Sequence, residues 1–199
     1  MRRIILAAAL TVPVMASASN LVVNPSFEAD LQASNSWNIY ANLIGWTGGS
    51  DGIELRNNVA GAAYDGVNYV ELDTNTNSSI SQGIATTLGA QYALSFAYSP
   101  REGVPSSSNG IEVFWNGVSQ GVFTGNGSSG NVWGIESMTV TGAASASSLM
   151  FQAVGVSDSL GGSLDAVSLT TAVPEPETYA LMLAGLGALG FVARRRATT

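Results

Sequence analysis

The chain of 199 residues carries 14 acidic side chains against 7 basic ones, all arginine, with no histidine and no cysteine, for a formal charge of −7. This composition excludes a histidine-based triad, imidazole or thiolate metal ligation, a thiol nucleophile and any disulfide. Arg2, Arg3, Arg194, Arg195 and Arg196 lie at the ends, so residues 19–173 hold twelve acids and two arginines, a formal charge of −10. Nucleic-acid binding is not expected of such a surface, because phosphate affinity requires basic side chains.

In chain order, residues 1–18 combine a basic start at Arg2 and Arg3, an apolar run over 4–14 and the small residues Ala16-Ser17-Ala18. That order is a secretory signal peptide with cleavage expected after Ala18. The apolar run is too short to span a bilayer and is interrupted by Pro13. Residues 19–171 then read as one β-domain. Expected strands cover 21–23, 37–41, 52–56, 68–73, 78–86, 91–98, 111–115, 118–123, 132–141, 148–154 and 164–170. In 91–98, Tyr92, Leu94, Phe96 and Tyr98 share one face, the period of two that marks a half-buried strand. Turn signals separate the runs: Asp51-Gly52, Asp65-Gly66, Asn109-Gly110, Asn116-Gly117 and Asn126-Gly127. Of these, Asn116-Gly117 predicts a tight hairpin, and Asp65-Gly66 a type I′-like turn between strands. Many short strands with no sustained helical period predict an all-β sandwich or jelly roll.

Residues 172–199 form a third segment. Pro174-Glu175-Pro176 fixes an extended, exposed backbone. An apolar run over 179–193 follows, about 23 Å long as a helix at 1.5 Å per residue, then the cluster Arg194-Arg195-Arg196. Such a run is a short single transmembrane helix that needs flanking residues to reach both interfaces. The arginines orient the C-terminus toward the cytoplasm, leaving the β-domain outside.

Two resemblances follow from these residues. The Pro174-Glu175-Pro176 motif, apolar helix and arginine cluster over 173–199 resemble the PEP-CTERM sorting signal of Gram-negative bacteria. That resemblance implies an exported substrate of an inner-membrane exosortase, anchored by the helix before processing and then located at the cell surface or outside the cell. Asn24-Pro25-Ser26-Phe27-Glu28, Gly45-Trp46 and Leu164-Asp165-Ala166-Val167 are similar to the opening and closing motifs of galactose-binding-like, carbohydrate-binding-module-like sandwiches, a group that includes relatives of plant cell-wall proteins. This second resemblance implies a structural Ca²⁺ held by Glu28 and Asp165 with backbone carbonyls near Asn24 and Ser26. Ala166 stands where such motifs carry a second aspartate. Oxygen donors of this kind are what Ca²⁺ requires.

Glycan binding is the functional reading natural to that fold, through aromatic faces and polar side chains. Trp46, Arg56 and Arg101 are the ligand-binding candidates. Arg56 and Arg101, the only cations of the domain, are either ligand clamps or salt-bridge partners of Glu54, Glu71 or Glu102. The polysaccharide expected is exopolysaccharide. A structural matrix protein without a ligand pocket is the alternative. A glycoside hydrolase using carboxylates such as Glu54, Glu71, Asp73 or Glu112 has no motif behind it, so no catalytic residue is assigned.

Overall fold

The computed structural model describes residues 18–172, 183–187 and 194. Twelve strands occur among them. β1 (Ser36–Tyr40), β2 (Asn42–Leu43), β3 (Trp46–Gly48), β4 (Ile53–Asn57), β5 (Asn68–Glu71) and β6 (Ser79–Ala85) come first. β7 (Gln91–Ser99), β8 (Gly110–Trp115), β9 (Val118–Phe123), β10 (Gly134–Thr141), β11 (Ala146–Val154) and β12 (Ser163–Thr171) follow. They form two six-stranded sheets, ordered β1-β4-β5-β12-β7-β10 and β2-β3-β6-β11-β8-β9, with antiparallel pairing throughout.

The sheets face each other across an apolar core supplied by strand alternation. Tyr92, Leu94, Phe96 and Tyr98 of β7 point into it, opposite Leu149 and Phe151 of β11 and Ile111 and Val113 of β8. Burying each such aliphatic or phenyl side chain stabilises the fold by roughly 1.5–3 kcal/mol. The β8–β9 hairpin turns at Asn116 and Gly117, with φ of 51° and 77°. Two successive positive φ values are what a type I′ turn demands, and Asn-Gly supplies them at low cost.

Several expectations are corrected by the structure. Residues 21–23 are not a strand. Instead Asn20 lies along β12, accepting from Leu169 N and donating to Val167 O, while Leu21 N donates to Leu169 O. That contact spans the irregularity of β12 between Asp165 and Ser168, where Ala166 adopts φ 46°. The short strands β2 and β3 appear where no strand was expected. Asp65-Gly66 lies in the long loop joining β4 to β5 rather than in a two-residue hairpin turn.

Trp46 is the correction that matters most for function. It is 2% exposed and lies between the sheets, with Phe27 and Phe151 at ring-centroid distances of 5.7 and 6.4 Å. Its indole N–H donates to Asn24 O at 3.0 Å. The preceding Gly45 has φ +79°, and a Cβ there would lie 2.9 Å from Val23 Cγ1. The Gly-Trp pair therefore turns the chain tightly and drives the indole inward, away from any ligand.

The expected signal peptide lies outside the described residues, apart from Ala18. So do Pro174, Glu175, Pro176, Arg195 and Arg196 and most of the apolar run. Residues 183–187 of that run are helical. Among the described residues, no helix is long and apolar enough to cross a membrane.

Trp46→Ala is expected to cost about 3–5 kcal/mol of folding stability, as large-to-small changes in a packed core do. Urea unfolding measures this. A loss below about 1 kcal/mol would place the indole at the surface.

Candidate functional site

Over β4 and β5 the outer face of the first sheet is polar, yet it is buried. In β4 every residue is buried, Glu54 and Arg56 included. In β5 the outward Tyr69 and Glu71 are wholly enclosed. The register places Glu54 opposite Glu71 and Arg56 opposite Tyr69. On the other side, β1 sets Trp37 opposite Arg56 and Ile39 opposite Glu54. Trp37, Ile39, Glu54, Arg56 and Glu71 thus share one patch of sheet, roofed by loops from elsewhere in the chain.

Glu71 is the hub of that patch. Its carboxylate accepts from Arg56 Nη2 at 2.7 Å and from Arg101 Nη1 at 3.0 Å. The amide of Gly161 donates to the same carboxylate at 2.8 Å. Arg56 Nε also donates to Glu54 Oε1 at 2.6 Å. A fully buried carboxylate survives only when paired and hydrogen-bonded in this way. Burial still pushes Glu71 up to about 7, against the pull of Arg56 and Arg101. Burial likewise opposes the charge on Arg56, but Glu71 and Glu54 outweigh it and its pKa rises.

Two loops deliver the remaining parts. Arg101 follows β7, and its amide donates to the side chain of Asn109 at 2.9 Å. Asn109 is fully buried and donates to the carbonyls of Val104, Pro105 and Gly125. Asn109-Gly110 is therefore a loop tether leading into β8, not a turn. The second loop, 155–162, is clasped by Asp73, which accepts from the amides of Asp158 and Leu160. Ser159 O of that loop accepts from Arg101 Nη1 at 3.0 Å. A Cβ on Gly161 would sit 2.7 Å from Asp73 Cβ, so glycine is needed for this close approach.

These elements enclose a cleft of about 180 Å³ lined in part by Trp37, Ile39, Glu54, Arg56, Arg101 and Ser159. Trp37 is 53% exposed. Arg56 Nη1 is buried without a hydrogen-bond partner. An exposed indole with guanidinium and carboxylate side chains around it forms a surface that can take a ring with hydroxyl groups.

The expected pair Arg56 and Arg101 is brought together, and the salt-bridge role holds with Glu54 and Glu71; Glu102 is not the partner found. Trp46 lies in the core, as described. Trp37 and Ile39 were readable as one face of the strand expected at 37–41, but nothing in the sequence placed them beside Arg56.

Glu28 and Asp165 grip the two ends of one loop. Glu28 Oε1 accepts from the amides of Val67 and Asn68 at 2.8 and 2.6 Å. Asp165 Oδ2 accepts from the amides of Tyr64 and Asp65 at 2.8 and 2.9 Å, and Oδ1 from its neighbour Ala166 at 2.6 Å. A Cβ on Gly66 would lie 2.5 Å from the Glu28 carboxylate, so only glycine lets the loop close on it. Ca²⁺ needs six to eight oxygens pointing inward. Here the carboxylates face the positive ends of N–H dipoles, and the pair as arranged does not fit that shell. Among the described residues, no group of three or more Asp or Glu side chains is placed to hold a metal ion. Burial pushes Asp165 up to about 7, although amide hydrogen bonds pull the other way.

The class defined is an antiparallel jelly-roll-type β-sandwich with a small aromatic and polar cleft on the outer face of one sheet. Residues 172–196 match the PEP-CTERM protein-sorting motif, which implies export and processing by an exosortase. In sequence, the chain is 32% identical over 156 residues to the multifunctional-autoprocessing repeats-in-toxin of Vibrio cholerae serotype O1. That alignment covers 77% of this chain and 3% of the toxin, so the chain spans a small fraction of its relative's length. The K1 cleaved adhesin domain of Lys-gingipain from Porphyromonas gingivalis W83 is similar in structure, with a TM-score of 0.53 and 16% identity, over 74% of this chain and 96% of that one. A family 35 carbohydrate binding module from Clostridium thermocellum matches with a TM-score of 0.48 and 18% identity, over 69% of this chain and 99% of the module. The likeness to the adhesin domain is one of fold.

Glu71 and Asp165 hold their protons more tightly folded than unfolded. The native state therefore binds more protons between the ordinary carboxylate range and about pH 7, and the contribution of these groups to stability falls as pH rises through that window. The melting temperature is expected to be higher at about pH 6 than at about pH 8, with Asp165→Asn reducing the difference. A melting temperature that climbs with pH over this range would contradict it.

Proposed function

We propose that the sandwich is a non-catalytic carbohydrate-binding domain that engages extracellular polysaccharide through the cleft at Trp37. The chain would be exported, held at the membrane through its C-terminal segment until an exosortase processes it, and then retained at the cell surface or in the surrounding matrix. The observation that carries this reading is the exposed indole of Trp37 on a cleft that it lines together with the polar side chains of Glu54, Arg56 and Arg101. A sugar ring offers an apolar C–H face to an indole and hydroxyl oxygens to a donor.

The same geometry argues against catalysis. A glycosidase acid and its partner need access to the scissile bond at separations of about 5 to 9 Å. Glu54 and Glu71 instead share one guanidinium, and Glu71 is closed from solvent. Asp73 is occupied by the amides of the 155–162 loop.

Affinity electrophoresis of the purified chain through polysaccharide from the producing cells tests the reading. Retardation is expected, lost in Trp37→Ala without a change in melting temperature, and unaffected by chelator. No reducing ends should accumulate. Equal retardation of the variant would move binding away from the cleft, and no retardation of the parent would favour a purely structural matrix role.

A further inference from the structure

The sandwich has two unlike ends, and the chain enters and leaves at the same one. β12 closes with Thr171 opposite Tyr92, and Ala172 donates its amide to Gln91 O. Leu21 N donates to Leu169 O, so the start of the domain lies beside that exit. The cleft is at the other end. There β12 opens with Ser163 between Ser99 and Glu71, and Arg101 and Ser159 border the cleft. β7 and β12, of nine residues each, separate the two ends by about 27 Å at roughly 3.4 Å per residue.

Charge follows the same axis. Thr141 pairs with Gln91, Gly142 bonds to Gly89 and Ala90, and Ala146 faces Ala85, which puts the loops 86–90 and 142–145 at the exit. No charged residue occurs over 74–100, 137–157 or 166–174. The exit loops therefore carry none, whereas Glu71, Asp73, Glu102 and Asp158 stand at the cleft end. Acidic side chains are repelled by anionic headgroups within a screening length of about 8 Å at physiological ionic strength, and uncharged loops are not. Seven residues, 172–178, lie between β12 and the apolar run, and fully extended they reach at most about 25 Å. Standing the domain on its cleft end would take that tether at full stretch and press the acids onto the bilayer.

We propose that, while the C-terminal segment holds the chain at the bilayer, the sandwich stands on its uncharged end against the lipid headgroups, with the cleft opening on the far side. This rests on the membrane-held stage proposed above and is independent of what the cleft binds. In that orientation the cleft is open to a polymer before the exosortase acts. The chain has no cysteine. Leu88→Cys and Val156→Cys therefore each place one fluorescent label, at the exit end and on the 155–162 loop, in place of an exposed apolar side chain. The full chain bearing either label is reconstituted into vesicles of phosphatidylethanolamine and phosphatidylglycerol that contain a spin-labelled headgroup lipid. With the ends about 27 Å apart, quenching at position 88 is expected to exceed that at position 156 at least twofold. Equal quenching at the two positions, or stronger quenching at 156, would overturn the orientation and leave the membrane-held stage standing. A chain that does not float with the vesicles would overturn both.

Discussion

The Glu71 carboxylate, enclosed at the centre of the first sheet, is the constraint on which the site depends. It accepts from two guanidinium groups and one backbone amide, each brought by a different part of the chain. Without Arg56, Glu54 and Glu71 would face each other across β4 and β5 as like charges, an unfavourable cross-strand pair. Placed on the same face two residues from Glu54, Arg56 binds both carboxylates and turns repulsion into a bridge. Arg101 then ties the loop after β7 to the same point, and Gly161 ties the loop before β12. Removing one member of such a buried set typically costs 3–5 kcal/mol, because charge is left unpaired. The network fixes an arrangement more than it adds net stability.

That arrangement explains the odd charge composition. The only two cations within residues 19–173 are both spent on one carboxylate. Three other acids, buried Asp73 and Asp165 and exposed Glu28, use backbone amides in place of side-chain cations: Asp73 on the 155–162 loop, and Glu28 and Asp165 on the 64–68 loop. An acidic domain without lysine, histidine or disulfides can hold long loops in this way, since charge-assisted bonds to N–H groups are among the stronger hydrogen bonds. The cleft is a by-product of the same economy. Arg56 is anchored through Nε and Nη2, and it lines a cleft together with the exposed edge-strand Trp37.

The sandwich was legible because period-two alternation and Asn-Gly turns are local signals. The β7 stripe and the β8–β9 hairpin stand where the pattern put them. What alternation cannot tell is whether the outer face of a sheet meets water or a roof of loops, so the buried polar layer of Glu54, Arg56 and Glu71 was hidden. The same gap misplaced Trp46, whose Gly-Trp motif reads equally as a surface turn or as a tight corner feeding the core. Pairing of Arg56 and Arg101 with acids followed from charge arithmetic, but their convergence on one glutamate depends on a loop contact across thirty residues. Glu28 and Asp165 hold opposite ends of one loop, and the amides that occupy them carry no sequence signature.

The most direct test of the cleft as the binding site is the set of four tryptophan indole N–H resonances during titration with the polysaccharide. The Trp37 signal should shift, with the guanidinium N–H of Arg56, while those of buried Trp46 and Trp115 stay in place. Shifts confined to Trp133, or none at Trp37 while the polymer is bound, would contradict it.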